Sequence, residues 1–320
     1  MDDEKGLRGR DAVGSARQRP ALTRIIECVP NFSEGRRPEV VSAIASEMAS
    51  VGGVRVLDVE MDAGHNRAVV TLVGEPEPVV EAAFRGVRLA AGLIDMEQHR
   101  GGHPRIGAAD VVPLVPLRGV DMSECVKLAR RLGQRIGEEL AIPVYLYGEA
   151  ALRPERRELP AVRRGEYEGL KEAIGHDPER RPDFGPPSLG PAGATAVGAR
   201  QPLIAFNVNI ASDDLDLARA IARSVRESGG GLPAVRAIAV ALPALKAVQV
   251  SMNLTDYRRT SLLTAFQAVA QQAAARGVSV LHSEIVGLVP REALPVDAER
   301  VLGLSGFTSA QILEERLGQV

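Results

Sequence analysis

VRVLDVEMDAGHNRAVVTLVGEP, Val54 to Pro76, consists of two aliphatic runs joined by Gly64, His65 and Asn66. Gly and Asn accept the backbone angles of a tight turn, and β-branched residues suit a pleated, half-buried surface. The segment reads as a hairpin of two strands, 54 to 63 and 67 to 76. A helical pattern flanks it on each side. PEVVSAIASEMASV (38 to 51) has Pro38 near its first turn and Val41, Ile44 and Met48 on one stripe. PVVEAAFRGVRLAAGLID (78 to 95) sets Val80, Phe84, Val87, Ala91 and Ile94 at spacings of four, three, four and three. Farther out lie two more apolar runs, TRIIECVPNF (23 to 32) before and DVVPLVPL (110 to 117) after; Pro113 and Pro116 direct the latter to a sheet edge or a bulge. Strand, helix, strand, strand, helix, strand is the split βαβ, or ferredoxin-like, order, in which two helices cover one face of an antiparallel sheet.

SECVKLARRLGQRIGEEL and PVYLYGEA then add one helix and one strand. Residues 151 to 202 are rich in Pro and Gly, with arginines at 153, 156, 157, 163 and 164, and read as a linker or functional loop. Beyond them LIAFNVNIA, DLARAIARSVRES, VRAIAVAL, KAVQVSMNL, LLTAFQAVAQQAAARG and VSVLHSEIVGLVP repeat the six-element order without repeating its sequence. The expected fold is α+β: two ferredoxin-like (βαββαβ) subdomains packed side by side, with a ligand cleft between them. The expected divisions are a disordered lead-in over 1–22, an N-terminal subdomain over 23–184 and a C-terminal subdomain over 185–320.

With aromatics at only 3% of 320 residues and no Trp, the core must be aliphatic. A net charge of −2 provides no field for nucleic acid or an anionic membrane, so an anionic ligand must meet local arginines. No apolar run is long enough for a membrane span, and no apolar stretch follows the charged start, so a cytoplasmic protein is expected. Cys28 and Cys125 are too few for a disulfide framework or thiolate metal site and read as small buried hydrophobes.

Chemistry concentrates in HRGGHPRIGAAD, His99 to Asp110. His99 and His103 are four apart, but Gly101, Gly102 and Pro104 break any helix that would set both on one face, so no metal site is expected. His103 suits general acid/base work, and in an extended segment Arg105 would share its face; a loop histidine bonded to a carbonyl fits the residues equally well. EMDAGHNR gathers Glu60, Asp62, His65, Asn66 and Arg67 at the hairpin tip, where Arg67 could clamp a carboxylate, although Gly64 and Asn66 are also plain turn residues. PNFSEGRR, containing Asn31, either binds an anion at a helix start or is capped there by Ser33. Asn207 and Asn209 share a strand face and suit a polar heterocycle.

IIECVPNFSEGRRPEVV, LIDMEQHRGGHPRIGAADVVPLVP, ELAIPVYLYGEAA, LIAFNVNI and EIVGLVP together resemble the formiminotransferase family, over about Ile25 to Pro290. The resemblance implies an enzyme that transfers a formimino group between N-formiminoglutamate and tetrahydrofolate in histidine breakdown. It further implies two ferredoxin-like subdomains, tetrahydrofolate as co-substrate, no metal, and a homodimer. His103 takes the acid/base role, within a segment where Gly102 replaces the family's glutamate. Glu60 becomes its acidic partner, with Asp62 as rival. Substrate-binding groups are expected at Asn31, His65, Asn66, Arg67, Arg105, Asn207 and Asn209. The folate loop maps to Gly185, Pro186, Pro187, Ser188, Leu189, Gly190, Pro191, Ala192 and Gly193, one residue shorter than in relatives with an aromatic there. Formyl transfer from N-formylglutamate, or other 5-formyltetrahydrofolate metabolism, remains an alternative, as does a non-catalytic folate-binding protein. An RNA-binding module is disfavoured by the lack of strand aromatics.

Overall fold

In the computed structural model, which describes residues 24–318, the hairpin forms where the sequence puts it. The lead-in expected over 1–22 lies outside the described residues. In chain order the first elements are β1 (Ile25–Cys28), β2 (Asn31–Phe32), α1 (Pro38–Ala49), β3 (Val54–Asp62), β4 (Arg67–Gly74), α2 (Pro76–Leu93), β5 (Ala109–Arg118), α3 (Met122–Glu139) and β6 (Val144–Gly148). Next come α4 (Leu159–Val162), α5 (Glu166–Ala173) and β7 (Thr195–Ala199). The second set is β8 (Ile204–Ile210), α6 (Leu215–Val225), β9 (Val235–Leu242), β10 (Ala247–Leu254), α7 (Leu262–Ala274), β11 (Val280–Val286), α8 (Ala298–Leu302) and α9 (Leu313–Gly318).

The helices begin where their sequences supply a start. Proline occupies the first turn of α1 and α2, where the missing N–H costs nothing. Side-chain caps open α3, α6 and α7: Asp121 accepts from the Glu124 amide at 2.8 Å, Asp214 caps α6, and Ser261 caps α7. α1 buries Val41, Ile44 and Met48, and α2 buries Val80, Phe84 and Val87, against one face of the first sheet. A Cβ on Gly86 would come within 2.8 Å of Met48 Sδ, so glycine there lets the two helices close up. Each fully buried Ile, Leu or Val contributes roughly 1.5–3 kcal/mol relative to exposure. Cys28 and Cys125 are both buried thiols in this core, as their apolar surroundings suggest, and burial raises both pKa values.

Two sheets result, of seven and four strands, in a mixed α/β arrangement. In the first, β1 and β2 lie end to end between β4 and β5, antiparallel to both, and β3 flanks β4. The second runs β11-β8-β10-β9, all antiparallel. Two expectations change. β5 is a central strand, so of the edge and the bulge expected for its prolines only the latter has a counterpart: Pro116 adjoins a register shift at Ile25 and Ile26, and Pro113 lies beside the break between β1 and β2, where no ladder N–H is demanded. The stretch 151–202 is more than a linker. It holds α4, α5 and the short strand β7, which slots parallel between β5 and β6. The second sheet begins only at Ile204, later than the boundary expected after residue 184.

Side chains on successive strand residues alternate between faces. Ile26, Cys28, Val70, Leu72, Val112 and Leu114 point to the helices, so Glu27, Asn31, Val69, Thr71, Val111 and Pro113 point the other way. On the second sheet Phe206, Val208, Val250 and Met252 enter the helix-side core, leaving Asn207, Gln249, Ser251 and Glu284 on the open face. The two open faces look at each other across a cleft of about 640 Å³. Among the described residues no helix is long and apolar enough to cross a membrane.

Candidate active site

Three loops meet at one end of the cleft, pinned by Asn66. Its backbone is left-handed, with φ of 52°, a conformation that asparagine tolerates. From there its Oδ1 accepts the Gly35 amide at 2.9 Å and its Nδ2 donates to the Arg100 carbonyl at 3.0 Å. The Gly102 amide donates to the Gly64 carbonyl at 3.3 Å, docking the hairpin tip on the HRGGHPR segment. A Cβ on Gly101 would stand 2.3 Å from the His65 carbonyl oxygen, so this close approach requires glycine. At Gly102 a Cβ would meet nothing nearer than 3.7 Å. We expect Gly102→Glu to fold with stability within about 0.5 kcal/mol of the parent, as chemical denaturation would measure.

The segment's histidines separate. His99 is buried, its Nε2 3.0 Å from the Asn66 carbonyl and its Nδ1 3.3 Å from Arg105 Nε. His103 instead lines the cleft, with Nε2 3.1 Å from Arg67 Nη1. A guanidinium only donates, so His103 Nε2 is the acceptor and the neutral ring carries its proton on Nδ1. Burial, then the charges of Arg67 and Arg163 and the neighbouring His65, push His103 down to about 3. It is therefore a neutral base throughout the physiological range.

The arginine itself is unusually placed. Burial and the like charge of Arg163 lower the Arg67 pKa, and its buried Nε has no hydrogen-bond partner among the described residues. Arg163, from the loop after α4, pairs with Asp110, whose other oxygen accepts the Ile106 amide at 2.8 Å. Carboxylates occupy the adjoining strand. Asp62 accepts from the His65 amide and faces its Nδ1, both at 2.8 Å. Burial would raise Asp62, but these bonds outweigh it and hold its pKa below the ordinary value. Glu60 is shifted up by burial and Asp58, partly offset by Arg67 and the Gly287 amide.

The structure thus gathers Asn31, Glu60, His65, Arg67, His103 and Asn207 on the cleft walls. Other expected groups lie elsewhere. Asn66 is the pin just described. Arg105 does not share a face with His103, because residues 101–108 form a bent loop and not an extended strand; its guanidinium is buried on Glu168 and Glu166, at 2.6 and 2.7 Å. Asn209, buried behind the cleft lining, bonds Gln249 and His282. Ser33 does not cap α1: its hydroxyl donates to the Gly107 carbonyl, while Glu34 accepts the Arg36 and Arg37 amides. Gly185 to Gly193 packs against the His103 end of the first sheet, where the Ala108 amide donates to the Ala192 carbonyl at 2.8 Å. His103 bonds Arg67, while Asp62 pairs with His65 and Glu60 with Gly287. Among the described residues no group of three or more His, Cys, Asp and Glu is arranged to hold a metal.

Residues 25–200 match the model of the formiminotransferase domain, N-terminal subdomain, and residues 205–302 match that of the formiminotransferase domain. The chain belongs to the formiminotransferase family. It is 50% identical to the glutamate formimidoyltransferase of Thermoplasma acidophilum over 295 residues, 92% of this chain and 97% of that one. The glutamate formimidoyltransferase of Streptococcus pyogenes serotype M1 is 44% identical, over 92% and 99% of the two chains. The formimidoyltransferase-cyclodeaminase of Mus musculus is 45% identical over 93% of this chain but 57% of its own length.

The formiminotransferase cleft also has walls that the motifs did not mark: Glu27, Tyr147, Arg163, Arg200, Gln249 and Glu284. A signal existed for some. Glu27 in IIEC and Glu284 in LHSEIV are charges inside apolar strands, at the parity opposite the core residues. Burial pushes Glu27 up to about 7, with Arg200 opposing. Because the folded value lies above the ordinary 4.5, the native state keeps this proton longer than the unfolded chain. Stability contributed by the neutral carboxyl is complete below about 4.5 and is lost as pH rises through about 7. Relative to Glu27→Gln, the parent should lose about 3 kcal/mol between pH 4 and pH 8. Urea unfolding at both pH values measures this; an equal offset at both would show that Glu27 does not titrate in that window.

Proposed function

We propose that this chain transfers the formimino group of N-formimino-L-glutamate to tetrahydrofolate, giving 5-formiminotetrahydrofolate and glutamate, a step of histidine degradation. The observation that carries the mechanism is the neutral His103 imidazole, its Nε2 lone pair held by Arg67 within an arginine-lined cleft. Two facing ferredoxin-like subdomains, each with helices outside and an open sheet face inside, would admit both substrates to that cleft. The donor is a dicarboxylate, and Arg67, with its unpartnered Nε, suits one of its carboxylates.

Binding and chemistry are then linked. A donor carboxylate that draws Arg67 to itself frees the Nε2 lone pair and offsets the charge that depresses His103. N5 of the reduced folate attacks the formimino carbon, and the C=N electron pair moves onto the imino nitrogen. His103 Nε2 takes the proton from N5. As that electron pair returns, the bond to the glutamate nitrogen breaks, and His103 gives its proton to the departing nitrogen. Glu60, electrostatically coupled to Arg67, acts on His103 by setting where that guanidinium lies. The loop from Gly185 to Gly193, beside the His103 end of the sheet, would hold the folate. The deciding experiment supplies pure protein with tetrahydrofolate and either N-formiminoglutamate or N-formylglutamate. Product from the formimino donor is expected; product from the formyl donor alone overturns this reading, and product from neither favours a binding protein.

A further inference from the structure

Across the cleft from His103, the open face of the four-stranded sheet carries a carboxylate built into a rigid amide network. Glu284 Oε1 accepts from Asn207 Nδ2 and from Gln249 Nε2, both at 3.0 Å. Gln249 Nε2 is also 2.9 Å from Asn209 Oδ1, and Asn209 Nδ2 is 2.8 Å from His282 Nε2. Asn207, Asn209 and Gln249 are all buried, so the network fixes the carboxylate with little freedom. Both side-chain donors to the carboxylate, from Asn207 and Gln249, reach Oε1; among the described residues none reaches Oε2. Nor does any lysine or arginine among them pair with Glu284. A half-buried, pre-oriented carboxylate that faces a ligand cleft without a cation is complementary to a flat edge presenting two adjacent N–H donors.

We infer that Glu284 recognises the 2-amino-4-oxo ring of the reduced pterin, accepting from N3–H and the 2-amino group, with Asn207 and Gln249 as its positioning residues. The inference rests on the folate reading above and assigns the ring its wall. The donor's formamidine group also offers an N–C–N edge, but its carbon must sit within reach of His103. The groups that act on His103, namely Arg67, Arg163, His65 and Asp62, all precede β8, and the Glu284 wall is built by β8, β10 and β11. The pterin on one wall and the formimino donor on the other would bring N5 and the formimino carbon together between them.

The test measures direct binding, independent of turnover. Glu284→Gln keeps the shape but replaces the open oxygen with a donor, and should raise the tetrahydrofolate Kd by about 10- to 100-fold. The KM for N-formiminoglutamate should stay within about threefold. A folate analogue lacking the 2-amino group but keeping N3–H should discriminate between parent and variant less than tetrahydrofolate does, whereas a collapsed network would weaken both ligands by the same factor. Unchanged tetrahydrofolate affinity overturns the inference, as does an effect confined to the KM for N-formiminoglutamate, which would assign Glu284 to the formamidine. Absence of transfer by the parent, with tetrahydrofolate still bound through Glu284, would overturn the proposed activity and leave the pterin site standing.

Discussion

His103→Ala should lower kcat by a factor of about 100 to 10,000 while leaving tetrahydrofolate affinity within about twofold, the size of effect that one general acid/base group supplies. The loss should stop there, because holding two substrates in reactive geometry can contribute roughly 7–11 kcal/mol by itself, and that survives the substitution. His103 is half-buried and among the described residues its one side-chain bond is to Arg67, so the variant should melt close to the parent. Steady-state kinetics with both substrates and a thermal melt measure all three quantities. A kcat unchanged in a folded variant would remove His103 from the chemistry.

Arg67→Met should produce the second large effect, with a pH signature that a purely structural arginine would not give. The variant loses the proposed clamp on the donor carboxylate, and truncating one partner of such a buried charged contact costs about 2–5 kcal/mol, so kcat/KM for N-formiminoglutamate should fall by at least roughly 30-fold. It also removes a positive charge 3.1 Å from His103 Nε2. With that charge gone, the His103 pKa rises from about 3 towards its ordinary 6.5, stopping short because burial, the largest cause, remains. A protonated His103 cannot accept from N5. The kcat/KM profile of the variant should therefore acquire an acid limb between about pH 4 and 6 that the parent lacks. Equal acid limbs in parent and variant would show that Arg67 does not set the protonation of His103.

The hairpin, the two flanking helices and the repeated six-element order were legible because period-2 and period-3.6 apolar spacing records which face each element buries. Gly64 and Asn66 marked the turn, and both cysteines lie in the core that their surroundings suggested. β7 was not legible: TAVGA is five residues including a glycine, too short to stand out from the Pro- and Gly-rich run before it. Pro113 and Pro116 implied an edge or a bulge; β5 is no edge, because the interruption between β1 and β2 relieves a central strand of the ladder bond that Pro113 cannot make, while Pro116 does adjoin a register shift.

The site divides in the same way. The chain by itself determined that His103 could not share a helical face with His99, that two open sheet faces had to exist, and which family the motifs belong to, since all of these depend on local spacing and residue chemistry. Only the tertiary structure decided that Arg67 holds His103 Nε2, that Arg105 turns away to Glu166 and Glu168, and that Arg163, Glu27 and Glu284 join the cleft. Those contacts join residues from 36 to more than 60 positions apart. A long, flexible side chain carries no record in the sequence of which distant partner it will meet; that is set when the loops are pinned and the sheets face each other.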